Sequence, residues 1–353
     1  MKMFHVIDCL ARGGAETLLL NTINRLPRHE HIVVTISDKF EFDESVKSKF
    51  VYHTLHCGAK IQWPLAVSKI RKLIRRYKPD LVHCHLHAAA VLTKFACPKQ
   101  VPLFYSIHTV YSESAFKYNR WARPFERLTA RPYHHLIGVS QSALDDYTAL
   151  IPGSGTQDVL YNFVDDKFFD VEPGEPYVPG NPLYCVSIGN LKYQKNYYFT
   201  LENFAVIKDL PIYLDIYGKG PEEQKMRTAI RELSLKHVVL KDVMDDISQV
   251  LPNYNLFIIN SNLEGFGIAP LEAMAAKLPA VVSNIPTFNE VIGDAGISVR
   301  LESDHDLAVV LKKIYDGEIS LKEYAVKGHE RALAVSHSEK YISKLTTLYE
   351  KYT

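Results

Sequence analysis

Two glutamates offer the clearest chemistry in the chain. Glu264 and Glu272 stand with seven residues between them inside the stretch SNLEGFGIAPLEAMAAK, residues 261–277. An apolar run, NLFII at 255–259, precedes this stretch, and another, AVV at 280–282, follows it. Gly265 and Gly267 bracket Phe266, Ile268 follows, and Pro270 opens a run of good helix formers. Strand, glycine turn and helix together aim bare backbone N–H groups at an anion. Glycine just before the helix and proline in its first turn mark a helix start. Glu264 therefore falls on the loop and Glu272 on the first turns of the helix. Both lie where open α/β sheets bind ligands, beyond the carboxyl ends of the strands. A carboxylate in that position accepts hydrogen bonds from sugar hydroxyls while the N–H groups take phosphate charge. Two isolated glutamates are usually one surface acid and one half-buried helix acid; the glycine turn and flanking strands favour a site.

Other residues could serve the same chemistry. Lys195 lies just beyond Gly189, at a strand's carboxyl end, and a lysine there can neutralise a departing diphosphate. Gly13 and Gly14 follow the first strand and precede a helix, which suits close approach of backbone to phosphate, although a GG pair alone is more often a turn. His108 ends a strand. His83, His85 and His87 alternate with metal-ligand spacing. Leu86 and the alanines at 88–90 place the strand's end near Cys84, so a metal is not expected there. Asp304-His305-Asp306 reads as a helix start with acids in the first turn rather than as a metal motif. Gly218-Lys219-Gly220 follows a strand, but Glu223 stands where a dinucleotide fingerprint needs its third glycine, which excludes NAD binding. A P-loop pattern is absent.

These residues need strands to hold them. Near-continuous apolar runs predict strands over 4–7, 32–36, 51–55, 81–84, 103–107 and 136–139. Helical patterns fall between them at 17–26, 65–77, 88–96, 116–131 and 142–150. The second half repeats the rhythm, with strands at 183–188, 212–217, 238–240, 255–259, 280–282 and 297–299. Its helices fall at 197–208, 221–235, 247–251, 268–277 and 287–292, and two or three more close the chain from 303. Strands alternating with helices imply βαβ units, and runs apolar throughout imply parallel strands buried on both faces. Between the halves, residues 171–182 hold four prolines and two glycines and make the expected boundary. The expected domains are thus 1–170, a linker 171–182, 183–334, and a C-terminal helix 335–353 crossing back to the first domain. Two doubly wound domains leave a cleft as the default ligand site, with the linker as its hinge.

Bulk composition narrows the field. The chain has 353 residues, 47% hydrophobic and 23% charged, as in a globular protein with a substantial core. A net charge of +1 gives no global pull toward nucleic acid or membrane, and no nucleic-acid partner is expected. Five scattered cysteines without a CxxC pair read as reduced thiols of a cytoplasmic protein. The N-terminal apolar patch breaks at Asp8 and Arg12 and reads as a core strand, not a signal peptide.

Taken together, the motifs resemble the retaining GT-B glycosyltransferases of family 4. The run from Glu264 through Gly-Phe-Gly-Ile-Ala-Pro-Leu to Glu272 is similar to that family's E-x7-E region. Arg12-Gly-Gly-Ala-Glu16, Pro79-Asp-Leu-Val-His83-Cys-His85, Ile107-His108-Thr109, Val139-Ser140, Tyr161-Asn162-Phe-Val-Asp165 and Tyr217-Gly218-Lys-Gly220-Pro221 extend the resemblance over nearly the whole chain. It implies an α/β fold of two Rossmann-like, doubly wound parallel-sheet domains, the first binding the acceptor and the second a nucleotide-diphosphate sugar, UDP- or GDP-linked. It further implies that Glu272 holds the ribose, that Glu264 and His108 lie near the donor sugar, and that Lys241 and Val243 lie near the base. Gly13, Gly14, Gly189, Gly218, Lys195, Gly265, Phe266, Gly267 and Ile268 complete the expected donor site. No cofactor and no divalent metal are expected. The family normally has an arginine after the glycine at 189; Asn190 stands here, and Arg12 or Lys192 is the expected replacement. Bacterial capsule, exopolysaccharide, O-antigen or glycolipid synthesis is the expected setting. The alternatives are a non-catalytic nucleotide-sugar-binding partner subunit, motivated by Asn190, and a GT-B nucleotide-sugar epimerase, against which the full E-x7-E run argues.

Two basic, aromatic stretches point to a surface role. One is KIRKLIRRYK at 69–78, after Trp63; the other contains Arg120, Trp121, Arg123, Phe125, Arg127 and Arg131. Together they suggest peripheral contact with the anionic inner face of a membrane, which would suit a lipid-linked or saccharide acceptor.

Overall fold

The computed structural model describes every residue except Asp245 and Asp304. The first half of the predicted D-x-D therefore lies outside the described residues. The chain divides into two compact units, 1–162 with 339–353, and 163–338.

The first unit runs β1 (Lys2–Ile7), α1 (Gly14–Arg25), β2 (Glu30–Thr35), β3 (Val51–Thr54), α2 (Trp63–Tyr77), β4 (Leu81–His85), α3 (His87–Ala96), β5 (Leu103–Ile107), α4 (Ala115–Tyr118), α5 (Ala122–Thr129), β6 (His135–Gly138), α6 (Gln141–Leu150) and β7 (Thr156–Val159). Its seven strands lie in the order β3-β2-β1-β4-β5-β6-β7, all parallel. The order reverses between β1 and β4, so the crevice for this sheet opens at the ends of those two strands. Their register sets His5 beside His83.

The second unit runs β8 (Leu183–Ile188), α7 (Tyr197–Val206), β9 (Ile212–Tyr217), α8 (Glu223–Glu232), β10 (Val238–Lys241), β11 (Leu256–Ile259), α9 (Ile268–Ala275), β12 (Ala280–Ser283), α10 (Pro286–Val291), β13 (Ile297–Val299), α11 (Asp306–Tyr315) and α12 (Leu321–Ser336). Six parallel strands lie in the order β10-β9-β8-β11-β12-β13, reversing between β8 and β11. The last helix, α13 (Ser338–Tyr352), belongs to the first unit from Glu339 on.

The apolar runs account for this architecture. β11 and β12 are buried at every position, as strands covered on both faces must be. α9 is apolar nearly all round because it is enclosed; Gly328 of α12 lets that helix approach, since a side chain there would meet Met274 Cγ at 3.2 Å.

The structure departs from the sequence reading in several elements. β7, TQDV, lies outside the predicted strands, because it is a polar, half-exposed edge strand with no hydrophobic signal. The helix expected over 116–131 is two short helices, α4 and α5, broken at Asn119. The one expected over 247–251 is a pair of 3-10 turns. The two compact units divide at 162/163, ahead of the proline- and glycine-rich stretch at 171–182. Proline and glycine mark irregular backbone, but that strap packs inside the second unit, where a Cβ on Gly174 would sit 2.0 Å from Pro252 O. Val164 N already donates to Ser336 O at 2.9 Å in the second unit.

Candidate active site

The second unit's carboxylate loop is held from several sides. Glu264 Oε1 accepts from Lys195 Nζ at 2.6 Å and from Ser261 Oγ at 2.7 Å. Lys195 ends a short 3-10 turn after β8, and Ser261 follows β11, so the ion pair spans the reversal in strand order. Backbone reinforces it, with Asn262 N donating to Gln194 O at 2.8 Å. Thr287 Oγ1, on α10, donates to Glu264 O at 2.7 Å, and Ser283 Oγ to Ser261 O at 2.6 Å. The second carboxylate oxygen, Oε2, has no hydrogen-bond partner among the described residues. With side chains 12% and 22% exposed, Glu264 and Lys195 are largely shielded from screening yet reachable.

The turn between the glutamates requires its glycine. Gly267 has φ of 83°, and a Cβ there would lie 2.4 Å from the Phe288 ring. It starts α9 with no side-chain cap on the first turn, which leaves that helix end suited to an anion. Gly265 and Phe266 are buried in the turn, and Ile268 is the first helical residue. Glu272 follows one turn later, partly buried. Burial pushes its carboxyl up to about 7, against the pull of Lys167 and with a further push from Asp165. No residue among those described hydrogen-bonds its carboxylate.

The remaining candidates on this unit line the same end of the sheet. Gly189 follows β8 directly, and Tyr197 OH reaches its carbonyl at 3.5 Å. Gly218 and Gly220 have a packing reason: a Cβ would fall 2.0 Å from Gly189 O and 2.3 Å from Leu191 O, so the loops after β8 and β9 touch backbone to backbone. Asn190 and Lys192 are exposed. Lys241 ends the edge strand β10 and Val243 lies two residues beyond it; Lys241 Nζ is 3.7 Å from Asp215, and Val243 is exposed. Sequence patterns did not single out Ser261, Thr287 or Asn260. Asn260 is buried, takes a hydrogen bond from Thr200 Oγ1 at 3.0 Å, and has no acceptor for its Nδ2 among the described residues. The usable signal was position alone, since all three follow strands that end at the site.

In the first unit, α1 begins at Gly14 with Gly13 as its extended cap; a Cβ on Gly13 would meet Glu16 Oε2 at 2.5 Å. Arg12 is tied to Glu41, donating from its backbone N at 2.9 Å and from Nε to the carbonyl at 3.2 Å. His108, just past β5, lies 3.2 Å from His85 Nδ1 through its Nε2. Burial pushes its imidazole down to about 4, so it is neutral at physiological pH.

The histidine series divides differently from its spacing. His83 and His85 share one face of β4, whereas His87 starts α3 and pairs with Glu126 at 3.0 Å. The third imidazole near the first two is His5, and one nitrogen from each of the three lies within 4.8 Å of the others. Most of their nitrogens are already engaged. His83 meets Tyr349 OH at 2.6 Å and Ser106 Oγ at 2.8 Å, and His5 Nε2 meets His31 at 3.2 Å. Burial first, then neighbouring imidazoles, hold His83 down to about 3 and His5 and His85 well below the ordinary value. The row is a neutral core cluster that docks α13 through Tyr349. The five cysteines are free thiols.

A cavity of about 350 Å³ also lies in the second unit. Its walls include Pro173, Tyr177, Pro252, Pro279, Leu321 and His329, at the amino ends of β11 and β12 and away from the carboxylate loop.

Comparison with known proteins agrees with this geometry. Residues 12–168 match the family described as Glycosyltransferase Family 4, and residues 170–331 match Glycosyl transferases group 1. The O-antigen biosynthesis glycosyltransferase WclY of Escherichia coli is 22% identical, over 99% of this chain and 97% of its own. The GDP-mannose:cellobiosyl-diphosphopolyprenol alpha-mannosyltransferase of Xanthomonas campestris is 25% identical over 86% and 84%. The crystal structure of Anabaena HepE in complex with UDP and glucose superposes with a TM-score of 0.82 at 18% identity, covering 99% of both chains. With two adjoining family matches spanning nearly its whole length and both sheets built as they require, this chain belongs to the family 4 glycosyltransferases and has their GT-B fold.

Proposed function

We propose that the protein is a retaining glycosyltransferase that moves a sugar from a nucleotide-diphosphate sugar to an acceptor hydroxyl in bacterial surface-polysaccharide or glycolipid synthesis. The observation that carries this reading is the Lys195–Glu264–Ser261 arrangement: one carboxylate oxygen fixed, the other open, and a cation beside it where the strand order reverses. On this reading Glu264 Oε2 accepts from a donor-sugar hydroxyl. Lys195 and the uncapped start of α9 stabilise the diphosphate as it departs, by charge already in place and without a metal ion. Glu272 accepts from the ribose hydroxyls. His108, neutral, contacts the donor sugar with its ring held by His85. The first unit binds the acceptor.

The bound UDP and glucose of HepE support a nucleotide-sugar donor. The name of the Xanthomonas relative supports a lipid-linked saccharide acceptor. Such an acceptor would be met at the inner face of the membrane, with the protein cytoplasmic and peripherally bound. No helix among the described residues is long and apolar enough to cross a membrane. Asn190 favours a second reading, a donor-binding subunit without turnover, because a phosphate-binding charge is missing beside Gly189.

A thermal-shift screen of UDP- and GDP-sugars identifies the donor, since a ligand that binds only the folded state raises its apparent stability. Donor hydrolysis and transfer by wild type and Glu264→Ala, with and without EDTA, then separate the readings. Tight donor binding with no turnover in wild type would favour the binding subunit. Loss of turnover in EDTA would overturn metal independence.

A further inference from the structure

Beside Glu272 stands a cation that the donor reading leaves unused. A 3-10 turn, Asp166–Phe168, packs against α9, the helix that carries Glu272. The turn is fixed at both ends. Asp165 caps it, accepting from Lys167 N at 3.4 Å, and Asp166 accepts from Ser338 Oγ at 2.7 Å. Phe168 is buried, which seats the turn in the second unit. Lys167 is left facing outward, with its side chain 45% exposed.

The lysine meets two parts of the donor site. Its Nζ donates to Asp246 Oδ1 at 2.8 Å. Asp246 lies three residues past Val243, the residue expected beside the base. It caps the 3-10 turn Ile247–Gln249, accepting from Ser248 N at 3.2 Å, Ser248 Oγ at 2.6 Å and Gln249 Nε2 at 3.4 Å. Lys167, and after it Ser248, hold the Asp246 carboxyl down to about 2. On the other side stands Glu272. Burial pushes its carboxyl up; Lys167 opposes that push and Asp165 adds to it. The strands packed on α9, LFII and AVVS, carry no charge. From α12, His329 reaches the helix at its far end, where Nδ1 meets Ala275 O at 2.8 Å.

An exposed ion pair contributes little to stability by itself. This one joins the loop on the base side to the helix on the ribose side, so one nucleoside would touch both of the parts it connects. We propose that Lys167 is a positioning residue for the donor nucleotide: paired with Asp246, it ties the loop after β10 to the start of α9 and sets its ammonium beside the carboxylate that takes the ribose. Lys167 has this role only if Val243 and Glu272 meet the nucleoside as read above.

Binding of UDP and of GDP is measured by calorimetry on the full chain between about pH 5 and 9. Wild type should bind one of them more tightly as pH rises to about 7 and Glu272 ionises. Lys167→Met removes the ammonium, so the midpoint of that curve should move to higher pH. Affinity at neutral pH should fall about fivefold. Lys167→Arg keeps both charge and pair and should restore midpoint and affinity. Asp246→Asn breaks the pair but leaves the ammonium near Glu272, so affinity should fall with the midpoint unmoved. Denaturation without nucleotide gives an independent readout: the decline of stability with rising pH should extend to higher pH in Lys167→Met than in wild type. An unmoved midpoint in Lys167→Met overturns the proposal, whether or not affinity falls, and so does an equal loss in Lys167→Arg. A wild type that binds neither UDP nor GDP sinks the donor reading and this role with it. A wild type that binds one of them, with both Lys167 variants unchanged, sinks this role alone.

Discussion

The two strand-order reversals use similar scaffolds for opposite ends. Beside β1 and β4, polar side chains spend themselves on each other: His83 on Tyr349 and Ser106, His5 on His31, His85 on His108. Their imidazoles are buried and neutral. Beside β8 and β11, the carboxylates of Glu264 and Glu272 keep acceptor capacity unspent, and a cation waits next to one of them. A buried polar group that is fully bonded rigidifies a core; one left open near the surface awaits a ligand. His5 Nδ1 and His85 Nε2 also lack a partner among the described residues, but both are buried; the two carboxylates are set apart by open acceptor atoms on side chains that are only partly buried.

The largest expected effect tests the open site. Glu264→Ala or Lys195→Ala should each lower kcat by about 10²–10³, the usual cost of removing one preorganised group that meets developing charge. The double variant should lose far less than the product of the two, because each residue holds the other. Additive losses would mean the 2.6 Å pair is not a functional unit.

The closed cluster should fail differently. His83→Ala leaves Tyr349 OH and Ser106 Oγ without their buried partner, at about 1–3 kcal/mol for each orphaned group. Chemical denaturation should show that loss, with kcat at saturating donor nearly unchanged. A fall in kcat comparable to that of Glu264→Ala, at unchanged stability, would break the contrast between the two reversals.

Glu272 offers a sharper test through pH. Its folded carboxyl titrates at about 7, above an unfolded value of about 4.3. The folded state therefore binds more protons than the unfolded one across that window, and its stability falls as pH rises from about 4.3 through 7. Glu272→Gln should remove this dependence and gain in melting temperature relative to wild type at pH 8. If the ribose hydroxyls need the carboxylate, donor affinity of wild type should rise with pH up to about 7 and then level. In Glu272→Gln it should be weaker, by about tenfold, and flat across the same range. Parallel pH profiles in both proteins would remove Glu272 from the donor site.

Much of this is legible in the sequence, for reasons that differ by residue. Parallel strands buried on both faces leave apolar runs, so β8, β9 and β13 could be placed to the residue. The glycine turn of Glu264 was visible because a left-handed φ at Gly267 restricts the residue type. β7 was invisible because an edge strand needs no apolar face. The burial of Glu126 on α5 is hidden as well: Glu126 and Lys94 lie 32 residues apart, and no local pattern reveals that a surface-looking glutamate is buried against a distant lysine. Alternation groups His87 with His83 and His85, but β4 ends at His85 and the third imidazole comes from β1, where only strand register points to it.

The smallest expected effect concerns the missing arginine at 190. Arg12 is already tied to Glu41 in the first unit, whereas Lys192 is exposed beside Asn190 in the second and makes no ion pair among the described residues. Lys192 is therefore the better replacement, and as an exposed, screened charge its contribution is worth roughly 1 kcal/mol or less. Lys192→Ala should raise the donor KM about two- to fivefold at low salt, leave kcat unchanged, and lose most of that effect at high salt. Arg12→Ala should change the KM by less. Asn190→Arg in the Lys192→Ala background should restore donor affinity, since it returns a fixed guanidinium to the end of β8. If Asn190→Arg instead leaves the KM where Lys192→Ala set it, no cation is wanted at this end of β8. The diphosphate charge would then rest on Lys195 and α9 alone, and the open site would be complete as the sequence has it.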